Sequence, residues 1–256
     1  MPASPGAAPY GFLRRLCLNL GFYSLLFGLT VSFILAAPAF YWRLRAAGQD
    51  PAVAVRRLIH RYGVYWSRIL RLFYSVRVDP LPVLPARPYV IVANHRSFFD
   101  TYCFAFLPEE NMVFAVRAWP FRIPFYGPFM YKAGYLNTEK EDRDSLLQKG
   151  KDRLAQGAVL VFFPEGTRSP TDAMGRFHAG AFALAAETGV PVLPYCLHGT
   201  GDMLPRGAFF LRPATIRARV LPPMSAPQGP DGPDARALRK TVKAAMTRAL
   251  DEMKHD

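Results

Sequence analysis

The longest apolar segment of the chain lies near the start of the sequence. Residues 16–42 include 27 positions without a charged side chain, and about 20 apolar residues suffice for a helix to span a bilayer. This apolar stretch is longer than the core of a signal peptide. We therefore predict an uncleaved, membrane-embedded helix within residues 1–50. The sequence leaves open whether it spans once or turns back as a hairpin near Gly28 or Pro38.

The next segment, residues 51–78, places apolar side chains every three or four positions, which is the spacing of one helix face. They are Val55, Leu58, Ile59, Tyr62, Trp66, Ile69, Leu70 and Phe73. The remaining positions are strongly basic: Arg56, Arg57, His60, Arg61, Arg68 and Arg71. We predict an amphipathic, basic helix at the surface of an anionic membrane. The alternative is a helix whose apolar stripe faces a protein core.

From residue 79 onward, short and continuous apolar runs alternate with helix-like segments. The apolar runs are 88–93, 158–163 and 190–195, and the helix-like segments are 97–106, 145–156 and 179–187. Residues 214–220 indicate a further strand, because Thr215, Arg217 and Arg219 alternate with apolar residues. Continuous apolar strands are typical of a sheet covered on both faces. We predict an α/β domain over residues 79–224, with a mostly parallel sheet flanked by helices. A flexible linker and a C-terminal packing helix follow in residues 225–256.

The net charge of +13 narrows the class of partner. Residues 1–79 contain ten Arg and two Asp, so +8 of this charge lies in the first third. Such an excess indicates nucleic acid or an anionic membrane. No recognisable nucleic-acid-binding module accompanies it, so we expect membrane lipids and no nucleic acid. If the apolar segment spans the membrane, the larger number of arginines after it places the following domain in the cytoplasm.

A histidine and an aspartate follow the first apolar run of the α/β domain. In the stretch ANHRSFFD, His95 and Asp100 lie five positions apart. A helix starting after His95 would let the Asp100 carboxylate bind Nδ1–H and leave Nε2 free as a general base. Ser97 and Asp100 also match a capping box at a helix N-terminus. One carboxylate can serve both roles, so the two interpretations are compatible.

The stretch FPEGTRS ends the second apolar run, and its residue types suit an anion. Gly166 permits a sharp turn with exposed amides, with Thr167 beside it. Arg168 offers a bidentate grip on a phosphate. Glu165 would orient Arg168 or a substrate hydroxyl. Because this loop ends another strand of the same predicted sheet, we expect it to lie near His95.

The three cysteines, Cys17, Cys103 and Cys196, share no metal-like spacing, and we predict reduced, buried thiols and no metal site. Cys103 lies near His95 in the sequence, which makes a thiol nucleophile conceivable. Its neighbours Tyr102 and Phe104 favour packing instead.

NHRSFFD, followed 69 residues after His95 by PEGTRS, resembles the glycerolipid acyltransferases that acylate lysophosphatidic acid. Three further blocks resemble the same family in the expected order. They are a basic residue before a Pro-x-x-Gly loop in 117–127, the block 133–140 and the proline-containing block 190–194. Together the similarity covers about residues 80–200.

The resemblance implies a mechanism and its substrates. His95 would deprotonate the acceptor hydroxyl while Asp100 stabilises the imidazolium, and a thiolate of coenzyme A or acyl carrier protein would leave. The resemblance implies no cofactor beyond this acyl-thioester co-substrate. The acceptor phosphate would be held by Arg168, Lys140, Arg143 and Arg117.

One departure from the family concerns the acceptor. The family commonly has Asp-Arg where this chain has Glu139 and Lys140, and lysine lacks the planar fork of arginine. Lysophosphatidic acid is therefore the first expectation. A lyso-ornithine lipid or another lysophospholipid is the alternative acceptor.

Overall fold

The computed structural model describes residues 11–124, 126–171 and 173–255. Parts of three predicted segments lie outside the described residues. They are residues 1–10 of the membrane segment, Phe125 and Asp172 of the α/β domain, and Asp256 at the end of the C-terminal segment. Phe125 also belongs to the 117–127 block.

The apolar N-terminal segment forms one long helix. Helix α1 (Phe12–Ala46) continues through Gly28 and Pro38 without interruption, so the uninterrupted form is observed and the hairpin is not. Its 35 residues would extend about 52 Å at the usual rise. By length and composition alone, α1 qualifies as a helix that could cross a membrane.

Helix α2 (Pro51–Phe73) begins at Asp50, whose carboxylate accepts hydrogen bonds from the Ala52 and Val53 amides. The apolar stripe of α2 faces the protein core. Val55, Leu58, Trp66 and Leu70 are all at most 3 % exposed. The prediction that this stripe faces a membrane is therefore wrong, and the core-facing alternative is correct. The periodicity of a helix face is the same whether protein or lipid covers it.

One of the predicted surface arginines of α2 is also buried. The Arg56 guanidinium donates from Nε to the Ala133 carbonyl (2.7 Å) and from Nη1 to Asn111 Oδ1 (2.7 Å). These bonds satisfy a charge that would otherwise be costly to bury. Arg56 therefore links α2 to the α/β domain and does not face a lipid headgroup.

Helices α1 and α2 lie side by side and run antiparallel. Phe22 packs edge-on against Phe73, with ring centroids 5.6 Å apart, and Thr30 Oγ1 is hydrogen-bonded to the Tyr62 hydroxyl (2.8 Å). Near the other end of α1, the Arg61 guanidinium lies over the Phe40 ring. The opposite face of α1 is apolar and exposed. Its large exposed side chains include Leu13, Leu20, Phe27, Leu35 and Trp42.

A seven-stranded sheet forms the centre of the α/β domain. Its strands are β1 (Ser75–Val78), β2 (Val90–Ala93), β3 (Met112–Val116), β4 (Leu136–Asn137), β5 (Val159–Phe162), β6 (Val192–His198) and β7 (Thr215–Val220). The spatial order is β1-β7-β6-β2-β5-β3-β4. The five strands from β6 to β4 are parallel, whereas β7 is antiparallel to β6 and β1 is parallel to β7. The predicted, mostly parallel sheet is confirmed.

Helices cover both faces of the sheet. After β2 comes a 3₁₀ helix (Phe98–Phe106), and after β3 come a short 3₁₀ helix (Trp119–Arg122) and α3 (Tyr126–Ala133). The remaining helices are α4 (Arg143–Ala155), α5 (Gly180–Thr188), α6 (Thr200–Met203) and α7 (Ala235–His255). One core lies between the sheet and α1, α2 and the first 3₁₀ helix, and the other between the sheet and α4, α5 and α7.

The C-terminal region is ordered by contacts with this second core. Residues 225–234, predicted as a flexible linker, contain a two-stranded hairpin of β8 (Gln228–Gly229) and β9 (Gly232–Pro233). Helix α7 packs as predicted from its periodicity. Its buried side chains include Leu238, Val242, Met246, Leu250 and Met253.

Candidate active site

The two sequence blocks with candidate chemistry leave the sheet at the same edge. His95 follows β2, and the FPEGTRS loop follows β5, which is the parallel neighbour of β2. Ser169 of this loop donates its backbone N–H to the His95 carbonyl (2.8 Å). The two loops are thus joined at the carboxyl ends of adjacent strands, where α/β proteins collect their functional groups.

His95 and Asp100 form a hydrogen-bonded pair. His95 Nδ1 lies 2.8 Å from Asp100 Oδ2, and the imidazole stacks on the Phe163 ring with centroids 4.1 Å apart. The His95 side chain is 18 % exposed. Its Nε2 has no hydrogen-bond partner among the residues that the structure describes. With Nδ1–H held by the carboxylate, Nε2 carries the lone pair and can accept a proton from a bound molecule.

The Asp100 carboxylate is fully buried and satisfied on both oxygens. Besides His95, Oδ2 accepts hydrogen bonds from the backbone N–H of Arg96 (2.6 Å) and of Ser97 (2.8 Å). Oδ1 accepts from Thr200 Oγ1 (2.5 Å). Asp100 therefore caps the 3₁₀ helix and also orients His95, so both interpretations of this stretch hold together. Several donors around one buried carboxylate stabilise its negative charge.

Thr200 is a site residue that the sequence reasoning missed. It lies just beyond β6, the other parallel neighbour of β2, and is 1 % exposed. Gly199 makes this placement possible, because its φ is +84° and an added Cβ would lie 1.9 Å from the Thr215 carbonyl oxygen. The sequence feature that could have indicated Thr200 is HGT at 198–200. It was not used because the apolar run was predicted to end at residue 195, whereas the strand continues three residues further, to His198.

Glu165 has a different role from the one predicted. Its Oε1 accepts a hydrogen bond from the His95 backbone N–H (2.9 Å), and its Oε2 accepts from the Gly175 N–H (2.8 Å) and from Ser169 Oγ. The side chain is buried. The structure thus places the carboxylate behind His95 as a support for its backbone. The prediction that it orients Arg168 or a substrate hydroxyl does not agree with these contacts.

The rest of the FPEGTRS loop includes one cation, Arg168, whose guanidinium has no partner among the described residues. Gly166 has a positive φ of +69°, and its N–H donates to the Phe163 carbonyl (3.0 Å), so this amide closes the turn instead of facing an anion. Thr167 is exposed and Arg168 is half-buried. The Arg168 guanidinium has no hydrogen bond or ion pair with the described residues, although its carbonyl accepts from Arg206 Nη1 (3.4 Å).

The other predicted phosphate ligands follow β3 and β4. Arg117 Nε lies 2.5 Å from Glu139 Oε1, and the Ala118 N–H donates to Glu139 Oε2 (2.8 Å). These two hydrogen bonds lower the pKa of the Glu139 carboxyl. Lys140 and Arg143 are exposed. Both residues follow β4, Lys140 in the connecting loop and Arg143 at the start of α4. Strand β4 lies three strands from β2, which is about 14 Å at the usual strand spacing. Arg168, one strand from β2, is closer to His95 in the sheet order.

The cysteines provide no nucleophile at this site. Cys103 is buried, and its thiol donates to the Phe99 carbonyl (3.6 Å). Burial and the nearby negative charge of Asp100 raise the pKa of the Cys103 thiol well above its usual value. Burial likewise raises the pKa of the Cys196 thiol to about 12. Cys17 is exposed on α1, so the prediction that all three thiols are buried is wrong for this residue.

Comparisons with known proteins agree on one family. The family model described as Acyltransferase matches residues 75–198. A 1-acyl-sn-glycerol-3-phosphate acyltransferase of Chlamydomonas reinhardtii is 40 % identical over 161 residues, covering 59 % of this chain and 48 % of the algal protein. The mouse 1-acyl-sn-glycerol-3-phosphate acyltransferase alpha is 31 % identical over 207 residues, covering 74 % of this chain and 71 % of the mouse protein. The chain belongs to the acyltransferase family.

The fold of the chain also agrees with a solved structure. The crystal structure of the 1-acyl-sn-glycerophosphate acyltransferase PlsC from Thermotoga maritima has a TM-score of 0.76 and 25 % sequence identity, and the match covers 95 % of this chain and 98 % of that one. The chain spans about half the length of the algal relative. The region matched by the family model contains both the His95 and the FPEGTRS loops, whereas Thr200 lies two residues beyond it.

Proposed function

We propose that this protein transfers a fatty acyl group from an acyl thioester to the free hydroxyl of lysophosphatidic acid and so produces phosphatidic acid. The observation that carries the proposal is the His95–Asp100 pair at the end of the sheet from which the Arg168 loop also leaves, with Nε2 of His95 free of partners among the described residues. Relatives named 1-acyl-sn-glycerol-3-phosphate acyltransferase support this acceptor.

The proposed reaction needs one base and no enzyme-bound acyl group. His95 Nε2 accepts the proton of the acceptor hydroxyl as the hydroxyl oxygen attacks the thioester carbonyl carbon. The buried Asp100 carboxylate stabilises the imidazolium that forms. The tetrahedral intermediate then collapses, the carbon–sulfur bond breaks, and the sulfur leaves as a thiolate that takes up the proton. A thiol with a pKa of about 8.5 is a good leaving group.

The proposed reaction also requires an acyl donor and residues that bind the phosphate of the acceptor. The acyl donor is acyl-coenzyme A or an acyl group on acyl carrier protein, and the scheme requires no other cofactor. Arg168 is the first candidate for the phosphate because its guanidinium is free of described partners and lies on the loop joined to His95. Lys140 and Arg143 are exposed but lie among Glu139, Glu141, Asp142 and Asp144, so they would contribute less than Arg168. Arg117 is held by Glu139 and would contribute less.

The N-terminal helices support a position at a membrane, where both lipid substrates reside. Helix α1 lies along α2, which carries Arg57, Arg61 and Arg68. If α1 crossed the bilayer, these arginines would have to enter it, at about 2.5–3.5 kcal/mol each near the centre. We infer that α1 lies along one membrane surface with only its exposed apolar face in the lipid. The basic character of residues 1–79 supports the cytoplasmic leaflet, which is rich in anionic lipids.

The direct test is acyl transfer by the purified full chain in vesicles. Acyl-coenzyme A and acyl carrier protein donors are each offered with lysophosphatidic acid, a lyso-ornithine lipid and a lysophosphatidylcholine. We expect lysophosphatidic acid to be the best acceptor.

Removing a general base typically costs about 10²–10⁴-fold in rate, and we expect a loss of this size for His95→Ala. His60→Ala, a histidine on α2, is the control. Undiminished transfer by His95→Ala would overturn the mechanism, and a preference for another lysolipid would overturn the acceptor assignment.

A further inference from the structure

Two adjacent phenylalanines are exposed on the surface of the α/β domain. Phe209 is 85 % exposed and Phe210 is 69 % exposed. They lie in the 205–212 loop, between α6 and β7. Single exposed apolar side chains are ordinary, but a pair beside further exposed apolar surface is typical of a binding surface.

The backbone of the 205–212 loop is fixed to α1. The buried Asn19 side chain donates from Nδ2 to the Leu211 carbonyl (3.1 Å) and accepts the Leu211 N–H at Oδ1 (2.7 Å). The Tyr23 hydroxyl donates to the Phe209 carbonyl (2.8 Å). Leu211 itself is completely buried. The hydrogen bonds of Asn19 and Tyr23 therefore hold the backbone at Leu211 and Phe209 against α1, while the two phenyl rings are exposed.

The exposed rings extend the outer face of α1. Phe209 and Phe210, with the α1 side chains Leu16, Leu20, Tyr23 and Ser24, line an open groove of about 360 Å³. Leu20 also belongs to the exposed apolar face of α1. The loop and α1 thus form one continuous apolar surface, which is wider than the helix alone.

The charged residues of the 205–212 loop are both arginines. Arg206 and Arg212 flank the two phenylalanines and are exposed. The 205–212 loop contains neither Asp nor Glu. Aromatic side chains bordered by cations match an anionic bilayer, in which the rings enter the boundary between headgroups and acyl chains while the cations meet the phosphates.

We propose that the 205–212 loop is a second membrane-contact element, whose Phe209 and Phe210 rings enter an anionic bilayer beside α1. This inference rests on the proposed position of α1 at the membrane. It also relates the bilayer to the active site, since Ser97 Oγ donates to the Leu204 carbonyl (3.1 Å) and Arg206 Nη1 to the Arg168 carbonyl (3.4 Å). The loop proposed to contact lipid therefore touches the backbone of Arg168, and Leu204, the residue before the loop, accepts a hydrogen bond from the start of the 3₁₀ helix.

Single fluorescent labels can measure which surfaces enter the lipid. The full chain carries Cys17→Ser, which removes the exposed thiol, and Cys103 and Cys196 are buried. Single cysteines are then introduced by Phe210→Cys, Leu35→Cys and Val83→Cys, labelled with a nitrobenzoxadiazole probe and reconstituted in vesicles of phosphatidylcholine and phosphatidylglycerol. Leu35 reports on the outer face of α1. Val83 is the control. It is 90 % exposed and precedes β2, at the amino end of this strand, whereas His95 follows its carboxyl end.

We expect lipids with nitroxide groups on their acyl chains to quench the labels at 210 and 35 at least threefold more than the label at 83. Aqueous iodide should quench in the opposite order. Replacing phosphatidylglycerol by phosphatidylcholine should reduce lipid quenching at 210, because Arg206 and Arg212 then lose their anionic partners.

The contrary outcomes separate the two proposals. A label at 210 that iodide quenches as strongly as the label at 83, while the label at 35 is immersed, overturns the loop proposal alone. A label at 210 protected from iodide yet not quenched by the lipid nitroxides also overturns it, because protein or a bound ligand then covers the loop. A label at 35 that is open to iodide overturns both the α1 position and the loop proposal. Acyl transfer to detergent-dispersed lysophosphatidic acid tests the chemistry separately.

Discussion

Thr200 Oγ1 donates a 2.5 Å hydrogen bond to Oδ1 of Asp100, the carboxylate oxygen that His95 does not use. The two residues lie 100 positions apart in the sequence and meet because β6 and β2 are neighbours. Since the other oxygen is held by His95 and two backbone amides, the Thr200 bond fixes the remaining rotation of the carboxylate. Thr200 is therefore a positioning residue for the His95 imidazole.

Removing this donor should lower turnover without weakening substrate binding. Thr200→Val keeps the shape of the side chain but leaves Oδ1 buried without a partner, which costs about 1–3 kcal/mol. We expect kcat to fall about 10-fold or more while the KM for lysophosphatidic acid changes less than twofold. Steady-state kinetics in vesicles measure both values.

Two further variants make the Thr200 prediction specific. Thr200→Ser retains the hydroxyl and should recover most of the lost kcat. Thr188→Val removes a threonine hydroxyl that donates only to the Leu184 carbonyl within α5, and it should leave kcat unchanged. Equal impairment of the Val and Ser variants at position 200 would contradict the positioning role.

Glu165 should also affect turnover more than binding. Its carboxylate accepts three hydrogen bonds, from the His95 N–H, the Ser169 hydroxyl and the Gly175 N–H. Glu165→Gln replaces one accepting oxygen by an NH₂ group, which would face one of these donors and cannot accept from it. A lost hydrogen bond to a charged group costs about 1.5–3 kcal/mol. We expect a lower melting temperature and a lower kcat, with little change in KM for the acceptor.

The control for this variant is Glu187→Gln, which removes one partner of a surface ion pair with Lys151. Exposed pairs of this kind contribute about 0–1 kcal/mol, so neither stability nor kcat should change noticeably. An increase in KM with unchanged kcat for Glu165→Gln would restore the interpretation that Glu165 contacts the substrate.

The contrast between Asp100 and Thr200 shows how far sequence reasoning can reach. His95 and Asp100 are five positions apart, so a local turn after an apolar strand suffices to predict their contact. The contacts of Thr200 with Asp100, and of Glu165 with the His95 backbone, join residues 100 and 70 positions apart. No local pattern encodes such pairs, because they depend on which strands become neighbours.

A similar limit applies to the fold. Strands β2, β5 and β6 are buried on both sides and form continuous apolar runs, which made them predictable. Strand β1 alternates exposed and half-buried residues at a sheet edge, and β4 has two residues, so neither gives a clear periodic signal. The stripe of α2 was visible, but its pattern does not distinguish a protein neighbour from a lipid one.

Arg168 should determine how strongly the acceptor phosphate is bound. Its guanidinium has no described partner, so Arg168→Ala removes a cation without leaving a buried acceptor unsatisfied. A charge-assisted hydrogen bond is worth about 1.5–3 kcal/mol. We expect KM for lysophosphatidic acid to rise about 10-fold or more, while weak transfer to monoacylglycerol, which lacks the phosphate, stays the same.

Arg143→Ala is the matched control for Arg168. Arg143 is exposed and follows β4, three strands from β2, so its effect on KM should be smaller than that of Arg168→Ala. If Arg143→Ala raises KM for lysophosphatidic acid more than Arg168→Ala does, the phosphate lies over the β4 loop instead. An increase in KM for the acyl donor alone would contradict the phosphate assignment for Arg168.

His198, at the end of β6, should make the stability of the fold depend on pH. Its Nδ1 is buried without a hydrogen-bond partner among the described residues. Burial lowers the pKa of His198, and the positive charges of Arg217, Arg96 and Lys254 lower it further, against the opposing charge of Asp202. In the unfolded chain its pKa returns to about 6.5. The unfolded state therefore binds more protons below this pH, and the contribution of neutral His198 to stability is lost as the pH falls.

The measurement is the melting temperature at pH 7.5 and at pH 5 for the wild type, His198→Asn and His255→Asn. The wild type should lose more stability between the two pH values than His198→Asn, which has no group to protonate at this position. A difference of 1 kcal/mol corresponds to about 2–4 °C for a chain of this size. His255→Asn changes an exposed histidine at the end of α7 and should follow the wild type. If His198→Asn shows the same pH dependence as the wild type, protonation of His198 does not destabilise the fold.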